Sequence, residues 1–274
     1  MMSDGHLIAG PWVGEFGWEL YAWQGYVRAL SRSFSKTTVI SRPNSQYLYE
    51  DFADRFIPYT PTGGHPDAFL MHGFDMNTSL REVVQENQIQ TGPHTTLFTP
   101  RRLGNPPYTH YATPVEVGTF AIVPEYHMYG TKNATAEFDY LFHIRNRDMR
   151  AEDNWDKEKW SVLRDLLGTD KKIGCIGTTS QSGLVEGTTD LRGISLEETC
   201  NTIKGCRAVF GPSSGPMHLT SLCGVPHVVW SVKDQVRYTE NWNPFNTPIL
   251  YLNEQGWRAK PQFIYDKYQA WTGA

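Results

Sequence analysis

The chain has 274 residues, 39% of them hydrophobic, and a formal net charge of −4. That length suffices for one large domain or two of about 110–140 residues, and the near-balanced charge excludes a global field that would draw in nucleic acid. Residues 1–125 hold 8 basic and 12 acidic side chains and the rest 17 of each, so the first half is the acidic one. No apolar run approaches ~18 residues, so no transmembrane helix is expected. The N-terminus shows no leader pattern, and a cytoplasmic protein is expected. Cys175, Cys200, Cys206 and Cys223 have no C-x-x-C spacing and read as free thiols, three of them in apolar segments. Asn77-Thr78-Ser79 and Asn133-Ala134-Thr135 match glycosylation sequons, read as chance without a secretion signal.

In chain order, His6 to Trp12 predicts a buried strand, and Gly14-Glu15-Phe16-Gly17 a turn. A helix is expected over 18–34, with Leu20, Trp23, Val27, Leu30 and Phe34 on one face. Strands at 37–41 and 56–59 flank a short helix at 45–52. From Pro61 to Pro124 the pattern breaks down: a helix is expected at 79–90, but 91–114 holds five prolines and two glycines. Alternation resumes with a strand at 140–144, a helix at 156–167 and a strand at 173–176. Ser195 and Glu198 form a capping box for a helix at 195–203. A strand at 208–210, a helix at 216–223, a strand at 227–231 and a terminal helix at 261–271 complete the series. The expectation is α/β, with two doubly wound, Rossmann-type parallel sheets.

The most informative stretch is Ala208-Val209-Phe210-Gly211-Pro212-Ser213-Ser214-Gly215-Pro216-Met217-His218. Strand, small-residue turn and helix N-terminus present free N–H groups and a positive dipole end, which suits phosphate. Pro216 fits the first helical position, Gly224 a left-handed cap at the far end, and His218 lies one turn in. Upstream, His143, Arg145 and Arg147 alternate along the end of a strand, so all three are expected to point to one face, at the edge where doubly wound sheets bind ligands. Two guanidiniums there suit a diphosphate. Their plainer reading is a solvated charged loop.

Asp190-Leu191-Arg192-Gly193-Ile194-Ser195-Leu196 through Gly224-Val225-Pro226 resembles the donor half of the bacterial heptosyltransferases, which are GT-B glycosyltransferases. The family pattern is D-L-x-G-x-(S/T)-L, then D-T-G-P-M-H, then G-x-P. Ser213-Ser214 stands here where that family has Asp-Thr. Phe142-His143-Ile144-Arg145 resembles the H-x-R element of GT-B fucosyltransferases, and Asn154 to Trp160 the heptosyltransferase K-R-W-P segment without its Lys-Arg.

The resemblance implies two Rossmann-type domains facing a cleft: 1–130 for the acceptor, 131–260 for the donor, and a terminal helix, 261–274, packing back on the first. It implies sugar transfer from a nucleotide-diphosphate sugar to a hydroxyl of a glycan or other acceptor, with inversion. Arg145, Arg147 and residues Ser213, Ser214, Gly215, Pro216, Met217 and His218 are the expected diphosphate ligands. Glu15 matches the family's general base, with Gly14, Phe16 and Gly17 forming the acceptor-side loop; Glu19 is the weaker candidate, better read as a helix charge complementing the dipole. The chain has no D-x-D pair, so no metal or other cofactor is expected. The rivals are a phage-type transferase acting on hydroxylated DNA bases, a nucleotide-sugar epimerase, and a non-catalytic nucleotide-sugar or glycan-binding protein. Nucleic acid is disfavoured by the acidic first half.

Overall fold

The computed structural model describes residues 3–61, 76–100, 122–131, 137–232 and 235–273. Positions 101–114 of the proline-rich stretch and the 133–135 sequon lie outside these. The chain divides into two compact units, Met1–His127 and Met128–Ala274.

The first unit contains β1 (Ser3–Ala9), α1 (Phe16–Ala22), α2 (Gln24–Ser31), β2 (Phe34–Ser41), β3 (Arg55–Pro58), α3 (Met76–Glu86) and β4 (Thr95–Phe98). Its four strands are parallel, in the order β3-β2-β1-β4. The last five residues of β2 are all buried, as in a parallel strand covered on both faces. The single helix expected over 18–34 is two, broken at Trp23, whose indole stacks on Trp12 (5.9 Å) and Phe98 (5.1 Å). The Gln24 side chain donates to the Leu20 carbonyl at 2.9 Å, supplying a bond at the break. Phe34 opens β2 rather than closing a helix. The short helix expected at 45–52 is a 3-10 turn over Pro43–Leu48. β4 was not expected: four residues between Pro93 and Pro100 show no periodicity, and pairing with β1 from His6↔Thr95 to Ala9↔Phe98 defines the strand.

Gly10 ends β1 between its two neighbours, donating to the Phe98 carbonyl at 2.8 Å. Its φ is +125°, and a Cβ there would lie 2.1 Å from the Ile40 carbonyl oxygen, so only glycine fits.

The second unit contains β5 (Tyr140–Phe142), α4 (Lys157–Leu167), β6 (Ile173–Gly177), β7 (Thr189–Arg192), α5 (Leu196–Gly205), β8 (Ala208–Pro212), α6 (Gly215–Leu222), β9 (His227–Trp230), β10 (Ile249–Leu252) and α7 (Pro261–Thr272). The sheet is parallel, in the order β10-β9-β8-β5-β6-β7. The two strands not expected, β7 and β10, are its edges; β7 (Thr-Asp-Leu-Arg) is exposed or half-buried throughout and so reads as a loop. The Ser195–Glu198 capping box forms, Gly224 is left-handed (φ +66°), and the four cysteines are free.

The terminal helix, expected to pack back on the first unit, has one face in the core of the second. Ile264 and Tyr268 of α7 belong to the second unit's own core, with Tyr140, Phe210 and Trp230, and the Tyr268 ring lies edge-on to Phe210 at 4.9 Å. Apolar residues on one face of α7 bury against the sheet they follow in sequence, and α7 is part of the unit Met128–Ala274. Among the described residues no helix is long and apolar enough to cross a membrane.

Candidate functional site

In each sheet one central strand has its sequence successor on one side and a later strand on the other: β1 lies between β2 and β4, β5 between β6 and β8. Chain reversal at such a switch point leaves a crevice at the carboxyl ends of the strands, where open α/β sheets take ligands. The turn containing Glu15 follows β1, and the segments 143–156 and 213–218 follow β5 and β8.

In the first unit, Glu15 is the N-cap of α1. Its carbonyl accepts from the Trp18 and Glu19 N–H groups, both at 3.1 Å, and its carboxylate makes no capping bond. The side chain is half-buried. Arg42, just past β2, donates to the Gly14 carbonyl at 3.3 Å and lies 6.0 Å over the Phe16 ring, so the turn is held from the neighbouring strand. Gly17 is buried at the start of α1.

Glu19 is not the surface helix charge the sequence suggests. It is fully buried and accepts from the hydroxyls of Ser41, Ser45 (2.8 Å) and Tyr49 (2.9 Å). Burial raises its pKa, against the opposing pull of Arg42 and the three hydroxyl donors. Its carboxylate binds α1 to the end of β2 and the turn beyond, which makes it a structural group.

In the second unit, β5 ends at Phe142, so His143, Arg145 and Arg147 follow the strand rather than sharing one of its faces. His143 is buried, with Nδ1 3.3 Å from the Ile176 carbonyl. Arg145 is also buried. Its guanidinium donates to the carbonyls of Arg150 (2.8 Å) and Met149 (3.0 Å) and to Asn154 Oδ1. Asn154 in turn accepts from the Arg147 N–H at 3.2 Å and donates to the Arg147 carbonyl at 2.8 Å. Arg145 is therefore buried as the internal tether of the 145–154 loop, while Arg147 is half-buried on that loop. The adjoining Trp155 and Trp160 are core residues in edge-on contact at 4.9 Å.

The 213–218 turn is built from β8. A Cβ on Gly211 would meet Met217 Sδ at 2.6 Å and the His143 carbonyl at 3.1 Å, so the glycine lets the first turn of α6 seat against β8 and the end of β5. Ser213 N–H donates to the Trp230 carbonyl at 3.0 Å. Ser214 is the N-cap, fully extended at φ −165° and ψ 169°, and its hydroxyl does not cap the helix. That hydroxyl is buried and has no hydrogen-bond partner among the described residues. An N-cap serine usually satisfies an N–H of the first turn; here the first-turn donors and the serine oxygen are left for something else. Pro216 brings no N–H, leaving those of Gly215 and Met217 as the expected donors.

Two expectations for this turn change. Ser214 N–H already donates to the Tyr238 phenol at 3.2 Å, so it does not join the cradle. His218 is buried, stacked on Tyr238 (4.1 Å, 14°) and edge-on to Trp242 (4.7 Å), rather than projecting from the helix. Tyr238 and Arg42 are the residues that sequence reasoning missed. Only Arg42 carried a signal, a cation directly after a predicted parallel strand.

No known sequence family matches the chain, and no curated protein matches it by sequence. Solved structures do. A glycosyl transferase family 9 protein from Veillonella parvula is 14% identical with a TM-score of 0.60, over 92% of this chain and 86% of its own. The E. coli ADP-heptose lipopolysaccharide heptosyltransferase II is 12% identical with a TM-score of 0.57, over 97% and 98%. E. coli heptosyltransferase WaaC, solved with ADP-2-deoxy-2-fluoro heptose, is 12% identical with a TM-score of 0.58, over 98% of each chain. The fold is GT-B-like. That agrees with the resemblance drawn from residues 190–226, and it extends the likeness to nearly the whole chain.

Two buried histidines make the second unit's stability fall in mild acid. Burial lowers His143 to about 4, with Arg145 and Arg147 adding to the shift, and burial likewise lowers His227 to about 4. The unfolded chain, with ordinary values near 6.5, then binds more protons between about pH 6.5 and 4. Stability is full above that window and falls as pH drops through it, by up to about 1.4 kcal/mol per pH unit for each histidine. Urea unfolding at pH 7.5 and 5 is expected to show this loss, and His227→Asn is expected to reduce the difference. Equal stability at both pH values would show that these rings take up protons in the fold as readily as in the unfolded chain.

Proposed function

We propose that the protein is a glycosyltransferase moving a sugar from a nucleotide-diphosphate sugar to an acceptor hydroxyl. The observation that carries this reading is the Ser214 hydroxyl, without a partner among the described residues, at a helix N-terminus that it does not cap, at the switch point of a sheet in a GT-B-like chain. A donor diphosphate at that point accepts from Ser214 Oγ and from the Gly215 and Met217 N–H groups, and the dipole of α6 favours its charge. Arg147, on the loop closed by Arg145 and Asn154, is the guanidinium assigned to the same phosphates. As the bond to the sugar breaks, negative charge grows on the departing diphosphate, where fixed donors stabilise it most.

Glu15 is assigned as the base that takes the acceptor's proton, the sugar passing through an oxocarbenium-like state. Its carboxylate makes no capping bond to α1, and Arg42 steadies its turn. Inversion of configuration and independence of metal are proposed on the resemblance and on the missing D-x-D pair. The WaaC structures are described with ADP and an ADP-heptose analogue, so ADP-sugars are the first donors to test.

The test incubates the protein with nucleotide sugars, with and without mixed glycan acceptors, and follows products by mass spectrometry. Transfer to an acceptor, with slow hydrolysis in its absence, is expected. An epimerised donor would indicate an epimerase, binding without turnover a non-catalytic module, and transfer only to hydroxylated DNA a nucleic-acid acceptor.

A further inference from the structure

We propose that Tyr238 is a positioning residue for the donor phosphates, its phenol fixing the Ser213–Ser214 turn in the conformation that opens α6 to a ligand; this rests on the donor reading above. Tyr238 lies in a π-helical turn, Arg237–Asn241, that follows β9, the strand next to β8 in the sheet. π-turns of this kind are rare and often mark functional sites. The residue is 1% exposed. Its hydroxyl donates to Ser213 Oγ and accepts from Ser214 N–H, each at 3.2 Å. Burial raises its pKa, so the phenol keeps the proton it donates.

One oxygen thus ties both residues of the turn, and the same ring stacks on His218 one helical turn later. The consequence reaches Ser214. With its N–H held by the phenol, its backbone is fully extended, and its hydroxyl is buried without a partner among the described residues instead of capping α6. Without the phenol, the half-buried Ser214 N–H loses its acceptor, and the turn relaxes toward ordinary N-capping, in which Ser214 Oγ satisfies the helix instead of a phosphate. A phenylalanine fills the same space and cannot do this.

Tyr238→Phe keeps the ring stack and removes the oxygen. Calorimetry on the full chain compares adenosine, uridine and guanosine diphosphates with the matching nucleosides. Affinity for the diphosphate that wild type binds is expected to fall about tenfold, and affinity for its nucleoside to change less than twofold. Ser213→Ala, which cuts one of the two bonds from the other side, is expected to give a smaller loss of the same kind and stands in if Tyr238→Phe does not fold. Unchanged diphosphate affinity, or equal losses for diphosphate and nucleoside, overturns the proposal while leaving the donor reading in place. A wild-type protein that binds none of the diphosphates overturns both.

Discussion

Glu15→Gln is expected to lower sugar transfer by about 10²–10⁴-fold, the usual contribution of a general base, while donor affinity stays within twofold. The substitution keeps the size and hydrogen-bonding reach of the side chain at the N-cap of α1 and removes only its ability to take a proton. The helix should survive it, because the Glu15 carboxylate makes no capping bond. Donor affinity should hold because the assigned phosphate ligands all belong to the second unit. Glu19→Gln is not a neutral control, since the buried Glu19 carboxylate accepts from three hydroxyls and its loss would loosen α1 from β2. Glu86, exposed on α3, serves better. Initial rates at saturating donor measure the effect. A Glu15→Gln protein with near-wild-type turnover would remove the base from this position.

Arg145→Ala is expected to damage the second unit as a fold before it damages a ligand contact. The buried guanidinium satisfies two loop carbonyls and Asn154, all on half-buried residues, and hydrogen bonds to a charged group are worth about 1.5–3 kcal/mol each. Thermal unfolding should show a lowered midpoint, and affinities for a nucleoside diphosphate and its nucleoside should fall together as the 145–154 loop opens. Lysine should rescue little, because one ammonium cannot reproduce a planar fork that reaches several acceptors at once. Selective loss of diphosphate binding at unchanged stability would instead return Arg145 to the role the sequence suggests, a direct phosphate ligand.

These two residues show where sequence reasoning succeeds and where it stops. The Gly211–His218 turn is legible because its determinants are local: a short apolar strand, small residues, a proline at the helix start and Gly224 at its end. The Ser195–Glu198 box is local in the same way. The burial of Arg145 and Glu19 is not legible, because a charged side chain near an element's end reads as solvent-facing until its partners arrive from elsewhere. For Glu19 they come from β2 and the turn after it, more than twenty residues on. Tyr238 reaches Ser214 across twenty-four positions only because β9 lies beside β8. β4, β7 and β10 escape notice for a related reason: at four residues each, they are strands by virtue of their neighbours.

The most direct test is a crystal structure of the protein with a bound nucleoside diphosphate. The β-phosphate is expected within hydrogen-bond reach of Ser214 Oγ and the Gly215 and Met217 N–H groups, at the carboxyl ends of β5 and β8. A nucleotide bound with its phosphates away from the first turn of α6 would contradict the assignment.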